Sequence, residues 1–228
     1  MRKLMMIAAM MAATLTASAQ FEPGTFSLQP KLGGTGTMLS DMPKLPLQNI
    51  DGTVFEIDKS ATGGFIIGAE AEYQFTKMLS LAAGVNYAEQ GSGWKDTKIV
   101  SSGVSFDLKD TKVALSYINI PVVANVYLFK GFALKAGVQL GFLTSAKMKV
   151  KAEGSENGLT QRVEIDENIK SSCNKTDISI PVGLSYQFKV PIVIDARYNI
   201  GLSKVNSRGD ENSKNQVFQI TVGYKFAL

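Results

Sequence analysis

The strongest constraint in this 228-residue chain is alternation of apolar and polar residues, repeated in one segment after another. Between Ile67 and Phe75 the odd positions are apolar or small, while Glu70, Glu72 and Gln74 take the other phase. A strand puts those side chains on one side; a helix would scatter them. The pattern recurs in Leu134–Phe142, Ile194–Leu202 and Phe218–Leu228. Eight such segments are predicted, at about 24–36, 62–75, 78–90, 113–129, 132–146, 175–189, 191–204 and 215–228. None carries a charge in its apolar phase. A usual strand has about 5–6 residues, whereas a tilted membrane-crossing strand needs about 9–11. Most of these segments are long enough to cross.

The connections alternate in length. Short turns are predicted around Thr76-Lys77, Lys130-Gly131 and Val190-Pro191. Longer polar loops fall at about 37–61, 91–112, 147–174 and 205–214. Turns at one end and loops at the other match a barrel in an outer membrane, with turns in the periplasm. Tyr73, Phe75, Tyr127, Phe129, Phe132, Tyr186 and Phe188 lie near the turns, and Tyr224 and Phe226 near the C-terminus at the same height. They read as one interfacial belt. Ile118-Asn119-Ile120-Pro121-Val122 recurs as Ile178-Ser179-Ile180-Pro181-Val182, so one hairpin is the repeating unit. Pro121 and Pro181 lack a ladder donor, and a bulge or irregular pairing is expected beside each.

The expected fold is therefore all-β: an eight-stranded antiparallel up-and-down transmembrane β-barrel occupying residues 20–228. The first nineteen residues read as a signal peptide. Met1-Arg2-Lys3 is basic, Leu4–Ala13 is apolar, and Ala17-Ser18-Ala19 supplies small residues for cleavage before Gln20. That apolar run is too short to span a bilayer as a helix.

Composition limits the chemistry. The chain has no histidine and one cysteine, Cys173. Zero histidine removes the usual general base and the commonest metal ligand. A single cysteine precludes an internal disulfide and every cysteine-rich zinc site. No enzyme activity, cofactor or metal is expected. A formal charge of +4 without a basic cluster is no footprint for nucleic acid.

The Ala19-Gln20 cleavage site, the first strand Phe26–Gly33 and the Ile-x-Ile-Pro-Val strand before a short turn carry a family likeness. The chain resembles the PorT-like outer-membrane β-barrel domain family of Bacteroidetes. Its C-terminal Gly223, Tyr224, Phe226 and Leu228 resemble the signal read by barrel assembly machinery, with Val222 and the terminal Leu228 departing from the usual pattern. The resemblance implies an outer-membrane location and no shared catalytic motif. One namesake serves a protein secretion system.

The inward phase offers a polar network of Lys31, Glu70, Glu72, Lys135, Asp195, Arg197 and Lys225, with amides such as Asn86, Asn119 and Gln139. An eight-stranded barrel is just wide enough for side chains to fill. The leading reading is a non-enzymatic barrel with a self-satisfied core. Its role is structural or interactive through the outer loops: envelope integrity, surface binding or service to secretion. Expected partners are outer-membrane lipid, the assembly machinery during biogenesis, and an envelope or secretion-system protein. A second reading is a narrow gated channel in which Glu70 or Glu72 exchanges partners. A third is a soluble, lipocalin-like lipid-binding barrel with the apolar phase inside, because alternation alone does not say which face is inside. Loop 147–174 alternates too, so its hairpin is expected to continue past the membrane, basic residues before the tip facing acidic ones after it. Trp94 has no assigned partner. Arg208-Gly209-Asp210 is a three-residue match of the kind chance supplies.

Overall fold

The computed structural model describes residues 21–48, 54–101, 104–156, 159–207 and 212–228. The signal segment 1–19 and Arg208-Gly209-Asp210 lie outside the described residues. Eight strands build the barrel: β1 (Phe26–Leu39), β2 (Thr62–Gln74), β3 (Leu79–Trp94), β4 (Val104–Phe129), β5 (Phe132–Glu156), β6 (Thr176–Gln187), β7 (Ile192–Gly201) and β8 (Asn215–Tyr224). Each pairs antiparallel with its neighbours in sequence. The ring closes where β8 pairs with β1, Lys31 opposite Gly223 and Leu39 opposite Asn215. Closure gives every strand two hydrogen-bonded partners, which a spanning sheet needs because lipid offers none.

The two phases sort in the sense opposite to a soluble barrel. Leu32 and Val138 face outward at 64% and 60% exposed, whereas Arg197 faces inward at 2%. Ile67, Val85, Leu184, Ile194 and Ile220 continue the apolar exterior. The lipocalin-like reading is thereby corrected: an apolar phase turned outward leaves no apolar cavity for a lipid and needs a hydrocarbon solvent instead.

Turns and loops fall at opposite ends as the sequence suggests. Gly131 takes φ +82°, the left-handed conformation that lets Lys130-Gly131 reverse the chain in two residues. At the loop end, however, the strands run further than expected. β3 reaches Trp94, β4 begins at Val104 and β5 reaches Glu156. A strand at Thr97–Ser101 pairs with the start of β4, and one at Leu159–Asn168 pairs with the end of β5. The result is a four-stranded sheet raised above the barrel. Lys147 and Lys151 reach Asp166 and Glu164 at 3.2 and 3.3 Å, as the charge order predicted, whereas nearest the tip the order reverses, Glu153 accepting from Arg162 at 2.9 Å.

Pairing is interrupted beside Pro121 and Pro181 while the register on either side is kept. Each proline therefore costs ladder bonds and shifts nothing. The aromatic belt needs one correction. Phe26, Tyr73, Phe75, Phe129, Phe132, Tyr186 and Phe188 do line the outside near the turns, with Phe26–Tyr73 at 4.6 Å and Phe129–Phe132 at 4.8 Å between ring centroids. Tyr127 and Phe226 do not belong to it; both are buried, at 6% and 9% exposed. A register shift between Tyr127 and Phe129 separates two residues of the same phase. Phe226 follows the break after β8 and pairs with Leu28 in a short strand, Phe226–Ala227.

Candidate functional site

The seven predicted lumen residues all point inward and are buried. They form two groups. In the larger, Glu70 on β2 receives Lys31 Nζ from β1 at 2.6 Å and the Arg197 guanidinium from β7 at 2.6 and 2.7 Å. Arg197 turns its remaining donors to Asp195, two residues along the same strand, at 2.8 and 2.9 Å. Lys135 on β5 donates to Asp195 Oδ2, which also accepts from Arg197. The order across the lumen is Lys31, Glu70, Arg197, Asp195, Lys135, so each carboxylate lies between two cations. Bidentate guanidinium geometry holds Arg197 to one orientation.

The smaller group lies nearer the turns. Glu72 Oε1 accepts from Ser80 Oγ and the Tyr127 hydroxyl, both at 2.7 Å, and from Lys225 Nζ at 2.9 Å. Lys225 also donates to the Tyr127 oxygen at 3.1 Å. The Phe21 ring centroid is 5.6 Å from the Lys225 ammonium. The sequence reading missed Tyr127 here. Its odd position, shared with Asn119 and Asn125, was the available signal.

Glycine makes the room. Lys31 lies opposite Gly68 and Gly223, Glu70 opposite Gly84, and both Lys135 and Arg197 opposite Gly183. A methyl carbon on Gly84 would sit 2.5 Å from Glu70 Cγ and 2.4 Å from the Ala69 carbonyl oxygen. Long charged side chains and absent ones thus alternate round the ring, and the interior is filled without overpacking.

Above the charges the lumen changes character. Asn119 donates to Asn86 at 3.1 Å, and Asn215 to Tyr117 and Asp177 at 3.3 and 3.2 Å. Above these, Leu39, Trp94, Leu115, Tyr117, Leu143 and Cys173 form an apolar cluster with Met42, Ile57 and Val205 from the loops. Trp94 finds its partners there, and its indole N–H donates to the Pro43 carbonyl at 3.0 Å. Leu115, Tyr117 and Leu143 occupy the inward phase of their strands, so this change of character was legible in sequence. The mouth at the loop end is closed by apolar packing and the middle by ion pairs.

Burial pushes the Cys173 thiol above its ordinary value. In the folded protein it is expected to resist a maleimide reagent and to label within minutes after urea unfolding. Rapid labelling in the folded state would mean that the cluster is open.

The C-terminal residues that resemble an assembly signal lie at and just beyond the end of the closing strand. Gly223 and Phe226 face inward, and Leu228 is exposed. A Cβ on Gly223 would lie 2.5 Å from Gln29 Nε2.

A closed ring with an apolar exterior and a charged interior is the geometry of an outer-membrane barrel. The family model described as "Outer membrane protein beta-barrel domain" matches residues 18–207. The chain belongs to that family. Membership places this family member in the outer membrane. No curated protein matches the chain. Among solved structures it is similar to Ail, the attachment invasion locus protein of Yersinia pestis, in complex with the heparin analogue sucrose octasulfate. Identity there is 17%, covering 89% of this chain and 99% of that one, with a TM-score of 0.45. It is similar to the neisserial surface protein A at 17% identity, covering 88% and 97% of the two chains, with a TM-score of 0.42. Similarity to the toluene transporter TodX of Pseudomonas putida is 11% in identity over 94% and 92%, with a TM-score of 0.33.

Proposed function

We propose that this outer-membrane barrel is a closed, non-enzymatic anchor that holds a binding sheet outside the cell. The observation that carries the reading is where strand length goes. β4 and β5 have 26 and 25 residues, against the roughly 9–11 that cross a membrane. The excess builds the raised sheet, whose edge strand Leu159–Asn168 pairs only with β5 among the described strands and exposes Val163 and Ile165. Unpaired edges with apolar side chains are docking geometry for an extended chain. The interior meanwhile is occupied by buried charges each held in an ion pair. Loops face the outside in such barrels, so the sheet is the part a partner meets. Service to a secretion complex, within a PorT-like group, is the narrower form of this proposal and rests on Ile118–Val122 and the C-terminal segment. Residues 1–19 act as the export signal in this scheme.

Two measurements test it. In planar bilayers the full-length protein is expected to show no reproducible conductance. Steps that disappear in Glu70→Gln or Glu72→Gln would assign a gated channel instead. On intact cells, Lys151→Cys in the raised sheet is expected to react with a membrane-impermeant maleimide, with low background because Cys173 is buried. An unreactive Lys151→Cys, in protein shown to be folded, would overturn the outward placement.

A further inference from the structure

At the loop-end rim, β2, β3 and β4 surround a groove of about 450 Å³. That volume lies within the range of about 300–1,000 Å³ usual for small-molecule sites. Its walls are Ser60–Gly63, Gly93–Asp96 and Asp110–Lys112.

The backbone is built specially here. The β4–β5 register shifts between Lys109 and Lys112, leaving Asp110 and Thr111 in a bulge. Asp110 takes φ +50°, a left-handed conformation uncommon for a side-chain-bearing residue, and its N–H donates to Asp96 Oδ1 at 3.0 Å. Bulges re-aim side chains, and strained backbone collects at binding sites. Among the described residues, the Thr111 hydroxyl is buried without a hydrogen-bond partner, although Thr111 lines the groove. A buried hydroxyl left unbonded is a place where a ligand hydroxyl or a water completes the network.

The chemistry of the walls is mixed. Lys95 and Lys112 offer ammonium donors and Asp96 and Asp110 carboxylate acceptors, while Trp94 borders the groove only 8% exposed, with its N–H already used. Lys95 is also held by Asp58 at 3.3 Å, and Asp110 by Lys151 at 3.8 Å. Balanced charge does not select a simple anion or cation. Donors and acceptors set side by side suit a sugar, whose hydroxyls both donate and accept. Just below, Phe65 and Tyr87 pair on the outward face with ring centroids 5.5 Å apart. Aromatic rings gather at the membrane interface, so the groove opens at headgroup height.

We propose that this rim groove binds one or two saccharide units, supplied by the glycolipid of the outer leaflet. The proposal rests on the loop end being the outer end.

Trp94 is the only tryptophan in the chain, so its emission reports on the groove directly. The full-length protein in detergent is titrated with lipopolysaccharide and, separately, with the acyl-free core oligosaccharide released from it. Both are expected to change Trp94 emission saturably. Thr111→Val, Asp96→Asn and Lys112→Gln are each expected to weaken binding ten-fold or more. Lys98→Gln, on the raised sheet outside the groove, is expected to leave it unchanged. Binding of the oligosaccharide alone would keep the saccharide site and move its source to a soluble glycan. No saturable response to either probe would overturn the proposal. So would binding that needs the acyl chains, an equal response to phosphatidylethanolamine vesicles, or full affinity in the groove variants. Heat-modifiable gel mobility checks that each variant is folded, and the half-buried Lys112 and exposed Asp96 serve if Thr111→Val is not. Because the titration is done in detergent, its failure is separate from failure of the cell-surface labelling.

Discussion

Glu70→Gln is expected to destabilise the refolded barrel by about 3–5 kcal/mol, the range for breaking a buried ion pair from one side. Glu70 neutralises two cations at once, Lys31 and Arg197. The native lumen group set holds four cations, Lys31, Lys135, Arg197 and Lys225, and three carboxylates, Glu70, Glu72 and Asp195. Glutamine at position 70 leaves Lys31 without an acid and raises the surplus of positive charge. Arg197→Met removes a charge too, yet its loss is expected to be smaller. Lys31–Glu70, Lys135–Asp195 and Lys225–Glu72 then remain as one-to-one pairs. Urea midpoints followed by heat-modifiable gel mobility would rank the two. The double variant should recover part of the Glu70→Gln loss, since the surplus of positive charge falls from two to one although Lys31 stays unpaired. An Arg197→Met loss equal to or above that of Glu70→Gln would show that pairing does not govern lumen stability.

Gly183→Val is expected to cost about 3 kcal/mol or more, beyond the usual overpacking of ~1–3 kcal/mol. Gly183 lies between Lys135 and Arg197 across two strand pairings. A Cβ there would fall 2.3 Å from the Ala196 carbonyl oxygen and 2.9 Å from Arg197 Cα. Both are backbone atoms, so no side-chain rotation relieves the clash and the β6–β7 pairing must move. Gly36→Ala is the matched control, since nothing lies within 4 Å of its Cβ position. Little or no folded Gly183→Val beside wild-type yields of Gly36→Ala is the expected result. A Gly183→Val barrel of native stability would mean that the lumen packs more loosely than the register implies.

Much of this protein is local and was readable early. Alternation in Ile67–Phe75 and Phe218–Leu228 reports strands and their two faces, because side chains of a strand point alternately to opposite sides. Turn and loop lengths suggest the barrel's orientation, and the inward phase already names the lumen charges apart from Asp177, which is buried beside Asn215. What alternation does not report is anything set by the offset between strands. Glu70 meets Arg197 far along the chain because ring closure and strand tilt place β2 and β7 across the lumen. The same offset puts Tyr127 on Glu72 rather than in the outer belt, and puts glycines opposite the longest charges.

The loop end shows the divide most clearly. Residues 91–112 read as a polar loop, yet they carry the end of β3, the strand Thr97–Ser101 and the start of β4. Trp94 had no partner in sequence because its partners are Leu39, Leu115, Leu143 and Cys173, brought in from four other segments. Local pattern is enough for eight strands, their polar and apolar faces and the end that carries the loops, but not for how far the strands extend there. Those properties follow from period two and from composition within about ten residues. Only the folded barrel settles which face is inside, which carboxylate holds which cation, and that apolar side chains pack together at the loop end. Those depend on register between strands distant in the chain, which no local pattern encodes.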